Sequence, residues 1–301
     1  MNTSAFQIRV PGSTANLGPG FDSIGLALNR FLVLNARQAD EWQFHYLAQP
    51  EFQPRLSDNL IYLTAKRVAE SRRGILPPYS VDVRSDIPIA RGLGSSGAAI
   101  IAGIELADFL LDLRLSIEEK AWIACKIEGH PDNVTASLFG GLVVSTQSET
   151  GVHSARLSVP EFDFVALIPS YELKTSDARN VLPSSLAFRD AIEGSSIANV
   201  LICALLTGNG ELAGKMMERD RFHQPYRAPL IPNLEKISCL AREAGAYGTF
   251  LSGAGPALMS LTPKTKSAAV RASLSSAFPE DKCTILSPVR EGVQVRVSSL
   301  S

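Results

Sequence analysis

Apolar positions recur along this chain with two periods, and the switches between them mark out its elements. Phe6 to Val10 alternates as a half-buried strand does. Pro11 then opens a small-residue loop ending in Phe21-Asp22, ahead of the apolar run Ile24–Leu28. Arg30 to Ala36 and Trp42 to Leu47 alternate again, predicting the two arms of a hairpin. Asp58-Asn59 leads into an amphipathic helix reaching about Arg73, and a strand follows over Val81–Ser85. Gly97 to Leu111 is apolar and Ala-rich, which predicts a helix behind a glycine loop. Ser116-x-x-Glu119 has the spacing of a capping box and starts a helix ending near Glu128, after which the polar cluster Glu128–Asn133 adjoins the apolar Leu138–Val144. In the second half, Phe164–Ile168 predicts a buried strand, Lys174–Arg179 a polar loop, Ala187–Thr207 one long helix and Leu212–Arg219 another. His223-Gln-Pro-Tyr-Arg227 interrupts the helical pattern on a segment stiffened by Pro225 and Pro229. Thr249 to Pro256 reads as a strand running into a glycine turn, with strand Ala257–Leu261 behind it, so helices and strands alternate in a βαββαβ-like manner to the C-terminus.

The chemistry concentrates in Pro88, Ile89, Ala90, Arg91, Gly92, Leu93, Gly94, Ser95, Ser96, Gly97 and Ala98. Gly92, Gly94 and Gly97 make a loop without Cβ atoms in front of a helix, whose first N–H groups have no partner and carry partial positive charge. Such a loop holds an anion, and Ser95 or Ser96 can cap the helix or ligate a magnesium ion bridging phosphates. An ordinary capped helix start explains one such loop equally well. Two other phosphate loops fit less well. No lysine lies between Arg67 and Lys120, which excludes the Walker A pattern. Gly92-x-Gly94-x-x-Gly97 has the letters of a dinucleotide fingerprint, but Asp86, Pro88 and Arg91 separate it from the preceding strand.

Composition narrows the class. With 301 residues, 45% of them hydrophobic, the chain can bury the core of two domains. Lys plus Arg (29) nearly balances Asp plus Glu (30), which argues against a nucleic-acid or membrane-surface role. No apolar run approaches the ~20 residues of a bilayer span. The first residues go directly into strand-like alternation, and Cys125, Cys203, Cys239 and Cys283 are far apart and in no metal-ligand spacing. These features predict a cytoplasmic protein with reduced thiols; a homodimer is compatible with the sequence, which specifies no oligomeric state.

Three glycine-rich segments remain to be explained together. Pro11-x-x-x-x-Asn-Leu-Gly-x-Gly-Phe-Asp22, Pro88-x-x-x-Gly-Leu-Gly-Ser-Ser96 and Leu251-Ser-Gly-Ala-Gly-Pro256 resemble the three motifs of the GHMP kinase superfamily. The first motif, with His130-x-Asp-Asn133, Arg179 and His223–Arg227, is most similar to its homoserine kinases, and the likeness runs along essentially the whole chain. The resemblance implies an α+β fold of two domains: a ribosomal protein S5 domain 2-like unit with a left-handed βαβ crossover over 1–160, and a ferredoxin-like unit over 161–301. It implies ATP and L-homoserine as small-molecule substrates, magnesium as cofactor and O-phospho-L-homoserine as product, on the way to threonine. By position, Gly92 to Ala98 would wrap the phosphates within the nucleotide segment Pro88–Ala98, and Ser96 and Glu128 would hold magnesium. Asn59 would lie near the adenine and Asp22 would meet the substrate ammonium. Arg179 and Arg227 would meet its carboxylate, Asn16 and Asn133 its hydroxyl, with His130 and Gly253 beside them. Another small alcohol as acceptor, or a catalytically dead nucleotide-binding sensor, stays open at this point.

Overall fold

A computed structural model describes residues 5–48 and 52–297; Met1–Ser4, the start of the stretch read above as going directly into strand-like alternation, lies outside them. The chain runs β1 (Ala5–Ala15), β2 (Ile24–Gln38), β3 (Gln43–Tyr46), α1 (Leu60–Ser71), β4 (Tyr79–Ser85), α2 (Ser95–Leu111), α3 (Ile117–Glu128), α4 (Asp132–Phe139), β5 (Leu142–Gln147) and β6 (Val152–Leu157). It continues with β7 (Asp163–Ile168), α5 (Thr175–Asn180), α6 (Phe188–Leu206), α7 (Gly210–Met217), α8 (Gln224–Arg227), α9 (Leu234–Glu243), β8 (Gly248–Leu251), β9 (Leu258–Thr262), α10 (Ser267–Ala277), β10 (Lys282–Leu286) and β11 (Gln294–Val297).

Two sheets organise these elements. The first has the order β11-β1-β2-β4-β3, with β5 on the other end of β2 and β6 on β5; the second has the order β10-β7-β9-β8 and is antiparallel throughout. That second order is what a βαββαβ chain gives when its outer strands lie beside its first and third. The expected second unit, 161–301, contributes its last strand to the first sheet, where Phe6 pairs with Val297 and Arg9 with Gln294.

The expected hairpin of residues 30–47 does not form. Strand β2 pairs antiparallel with β4, from Leu32 opposite Ser85 to Gln38 opposite Tyr79, and β3 lies beyond β4, parallel to it. Parallel neighbours need a crossover, and α1 supplies it between β3 and β4. The small-residue loop expected from Pro11 is strand as far as Ala15; the register shifts between Pro11 and Gly12, an irregularity of the kind at which a sheet tolerates a residue without an N–H. Two further expectations change: Lys174–Arg179 is mostly the short helix α5, and the cluster after Glu128 runs into helix α4. The capping box at Ser116 and Glu119 forms with both of its hydrogen bonds.

Helix α2 lies at the centre of the first unit and is apolar on most sides because it is buried on most sides. Strand β7 is buried on both faces: Phe164, Ala166 and Ile168 join the large core shared with α2, while Val165 and Leu167 join a second core under α9 and α10. This explains why it reads as an unbroken apolar run. One buried charge cluster pins α3 to α2: Lys120 Nζ reaches both Glu105 oxygens, at 2.9 and 2.8 Å, and Asp108 at 2.7 Å. Burial raises the Glu105 pKa, and the Lys120 hydrogen bond and charge oppose that rise. Removing the cation should leave two carboxylates buried without a counter-charge. Lys120→Met is therefore expected to lower the unfolding free energy by about 3–5 kcal/mol in urea titrations; a loss under about 1 kcal/mol would mean that the carboxylates find water instead.

Candidate active site

A cleft of about 380 Å³ opens between the two sheets, and segments from both halves of the chain line it. Its floor is the loop between β4 and α2. Ala90, Gly92 and Gly94 all have positive φ, at 52°, 77° and 72°. A Cβ on Gly92 would lie 2.2 Å from the Ser252 carbonyl oxygen and one on Gly94 2.3 Å from the Ser13 hydroxyl, so neither position admits another residue. Gly94 occupies the N-cap of α2 with no side-chain cap, leaving the first N–H groups of that helix free. Of the two roles open to the serines, the cap is not made among the described residues. Ser96 instead turns its hydroxyl to the Glu128 carboxylate at 2.7 Å. Two hard oxygen donors side by side at a positive helix end suit a magnesium ion and its phosphates.

Beside this floor the cleft becomes charged. Asp22 and Arg179 form a two-pronged ion pair at 2.8 and 3.1 Å, each about one-third exposed (34% and 36%). Burial works against the Arg179 charge, but the Asp22 carboxylate outweighs it and holds the guanidinium pKa above its ordinary value. Arg227 is buried, donating through Nε to Ala178 O at 2.9 Å and through Nη1 to Gly253 O at 2.9 Å and to His223 Nδ1 at 3.2 Å. His223 accepts there because its Nε2 donates to Gly18 O, and burial, which lowers its pKa, keeps it neutral. Burial likewise lowers the Arg227 pKa to about 10, so it stays protonated at neutral pH, with Nη2 unpartnered among the described residues. The Phe21 ring centroid lies 5.6 Å from the Arg179 guanidinium and 5.3 Å from that of Arg227.

The asparagines hold loops as well as lining the cleft. Asn16 donates to Gly253 O at 3.1 Å and accepts from the Asp22 amide at 3.1 Å. Asn133 accepts from the Ser13 hydroxyl at 2.9 Å. His130 Nδ1 lies 2.6 Å from Asp132 Oδ1, which also accepts from the Asn133 amide. Burial disfavours the charged His130 ring, yet the hydrogen bond and charge of Asp132 outweigh it and raise its pKa. Asp22, His130 and Asp132 place potential ligand atoms within 4.8 Å of one another, but Arg179 and the His130–Asp132 contact already engage them.

Asn59 caps α1 by accepting from Tyr62 N at 3.2 Å, and its Nδ2 donates to the Tyr46 hydroxyl at 3.1 Å. The neighbouring wall is apolar, with Leu32, Phe52, Pro54 and Ile87. Ile89, Arg91 and Ser95 also face the cleft, whereas Leu93, Gly97 and Ala98 are buried, Leu93 and Ala98 in the core. Pro88 is half-buried outside the cleft wall. The sequence reading missed Asp132 as the His130 partner, His223 as the support of Arg227, and the hydroxyls of Thr14 and Ser252. Thr14 and Ser252 lie inside the first and third glycine-rich segments, where the glycines drew the attention.

Comparisons with known proteins place the whole chain in a family. The GHMP kinases N terminal domain matches residues 59–141 and the GHMP kinases C terminal domain residues 201–280. A homoserine kinase of Bacillus velezensis is 51% identical over 95% of this chain and 93% of its own, and one of Bacillus pumilus 48% over 96% and 94%. The crystal structure of a homoserine kinase from Cytophaga hutchinsonii superposes with a TM-score of 0.85 at 25% identity, covering 98% of each chain. With its three loops joined around one cleft and these relatives matching along nearly its full length, the chain belongs to the GHMP kinases and, among them, to the homoserine kinase family.

Proposed function

We propose that this cleft transfers the terminal phosphoryl group of ATP to the side-chain hydroxyl of L-homoserine, giving ADP and O-phospho-L-homoserine. The observation that carries the reading is one cleft in which an uncapped helix N-terminus adjoins a carboxylate and two guanidinium groups. Phosphates fit the first, and the ammonium and carboxylate of an amino acid fit the second. Arg179 and Asp22 are partners in this structure, so we infer that the substrate exchanges with them, its ammonium taking Asp22 and its carboxylate taking Arg179 and Arg227 Nη2. A pair one-third exposed to solvent loses less when opened in this way than a buried one would. Asn16 and Asn133, fixed by the loops they bridge, would orient the acceptor hydroxyl.

Ser96 and Glu128 would hold magnesium, which supplies charge neutralisation on the phosphates when bound. The chain's own part is positioning. The free N–H groups of α2 and the Gly92–Gly94 backbone would receive phosphate oxygens. No dedicated base is needed, because a loose phosphoryl-transfer transition state asks for alignment and charge balance. Asn133 cannot take a proton, and Asp132 is committed to His130. Among the described residues all four cysteines are free and no helix is long and apolar enough to cross a membrane, which accords with a cytoplasmic enzyme.

A coupled assay of ADP release across homoserine, threonine, serine and mevalonate tests the reading. Homoserine is expected to give the highest kcat/KM, and turnover confined to mevalonate would overturn it. Asp22→Asn is expected to raise the homoserine KM by about ten- to a hundredfold, the equivalent of a hydrogen bond to a charged group, with nucleotide affinity as the control. Calorimetry showing both affinities falling together, or neither, would make Asp22 a structural loop residue.

A further inference from the structure

A backbone loop can offer its N–H groups to an anion only when the carbonyls of the same peptides turn elsewhere and find donors of their own. Between Ile89 and Gly94 every carbonyl does so. Arg91 O accepts from Ala257 N at 3.3 Å, Gly92 O from Ser252 Oγ at 2.6 Å, Leu93 O from Ser13 N at 3.2 Å and Gly94 O from Ala98 N at 2.9 Å. Ile89 O and Ala90 O accept from Arg91 Nη1, at 3.3 and 3.4 Å. Arg91 is the one charged donor among these, and it belongs to the loop itself.

The rest of the Arg91 guanidinium reaches out of the loop. Nε donates to Pro169 O at 3.0 Å and Nη2 to Ser170 O at 2.8 Å, while Nη1 lies 3.3 Å from Glu172 Oε1. One planar group therefore holds carbonyls of the loop and carbonyls of the segment behind β7. The Glu172 carboxylate is 64% exposed and adds little to this. That segment runs directly into α5, which carries Arg179, the partner of Asp22, and the Ala178 carbonyl, which receives Arg227. A six-residue helix with no side-chain cap does not hold itself in place, so α5 takes its position from these contacts and from the segment ahead of it. Arg91 thus stands both in the donor loop and at the root of the acceptor helix.

We propose that Arg91 is a positioning residue that joins the loop before α2 to helix α5, so that nucleotide and homoserine each tighten the binding of the other. The inference rests on the kinase reading above and adds that the two ends of the cleft are not independent. Phosphates on the loop N–H groups would fix the peptides around Arg91, and with them the guanidinium that holds Pro169 and Ser170. Homoserine would open the Asp22–Arg179 pair, which removes one tie on α5 and makes that helix depend more on the segment Arg91 holds. A part ordered by the first ligand need not be ordered again by the second, and linkage makes the gain equal in both directions.

Titration calorimetry in magnesium buffer tests it, with AMP-PNP measured with and without saturating homoserine, and homoserine with and without saturating AMP-PNP. The wild-type chain is compared with Arg91→Lys and Arg91→Gln. A lysine keeps the charge, but its single nitrogen cannot span the carbonyls of both segments as the guanidinium fork does. In the wild type each ligand is expected to lower the Kd of the other by about five- to tenfold, and in both variants, folded by circular dichroism, by less than about twofold. A merely structural loop residue would weaken both ligands and leave the mutual gain at its wild-type size, which would overturn the proposal. A wild type in which neither ligand changes the Kd of the other overturns it without any variant. If that wild type still phosphorylates homoserine, this inference alone fails and the kinase reading stands. If the wild type binds AMP-PNP but neither binds nor phosphorylates homoserine, the kinase reading fails and takes this inference with it.

Discussion

A chain of buried hydroxyls holds the three glycine-rich segments together, and the rest of the cleft depends on it. Thr14 Oγ1 and Ser252 Oγ lie 2.7 Å apart, and Ser252 Oγ donates to the Gly92 carbonyl at 2.6 Å. Thr14 belongs to the first segment, Gly92 to the second and Ser252 to the third. Backbone contacts run alongside: Ser13 N to Leu93 O, Gly253 N to Ala15 O and Ala257 N to Arg91 O. Arg91 adds side-chain bonds to the carbonyls of Pro169 and Ser170. The loop between β4 and α2, with its three left-handed residues, would not keep that shape alone. It is shaped from outside, by the second sheet as much as by the first.

The same seam sets the electrostatics. Gly253 presents one carbonyl to both Asn16 and Arg227, so the group proposed for the hydroxyl and the group proposed for the carboxylate are registered through a single backbone atom. His223 and Ala178 fix two of the Arg227 nitrogens, and the third has no partner among the described residues. Asp22 and Arg179, in contrast, hold each other where both are about one-third exposed. The site therefore combines one buried, fixed cation with one part-exposed ion pair, and the proposed exchange with a zwitterion rests on that combination.

Much of this was legible because it is local. The capping box at Ser116, the helix after Gly94 and the βαββαβ order of the second half follow from spacing and periodicity, and the loop chemistry follows from glycines in front of a helix. What was not legible depends on distant partners. Residues 30–47 read as a hairpin because neighbouring strands in sequence usually pair; nothing within them says that β4 will insert between the arms. Six residues of α5 are too few to show a helical period. Asp22 and Arg179 each stood out as a charge in small-residue or polar surroundings, but their pairing spans 157 positions. Ser252 was hidden by its neighbours: a serine among glycines reads as turn chemistry, and only the fold shows whose carbonyl it meets.

The central claim is that the phosphate loop is preformed by the hydroxyl reaching it from the other half of the chain. Calorimetric binding of ADP to Ser252→Ala, without homoserine, tests this directly. Loss of the donor strands the Gly92 carbonyl, and the account predicts an affinity about five- to tenfold weaker in a chain that remains folded by circular dichroism. Wild-type ADP affinity in the folded variant would contradict it, and would mean that the loop holds its shape unaided.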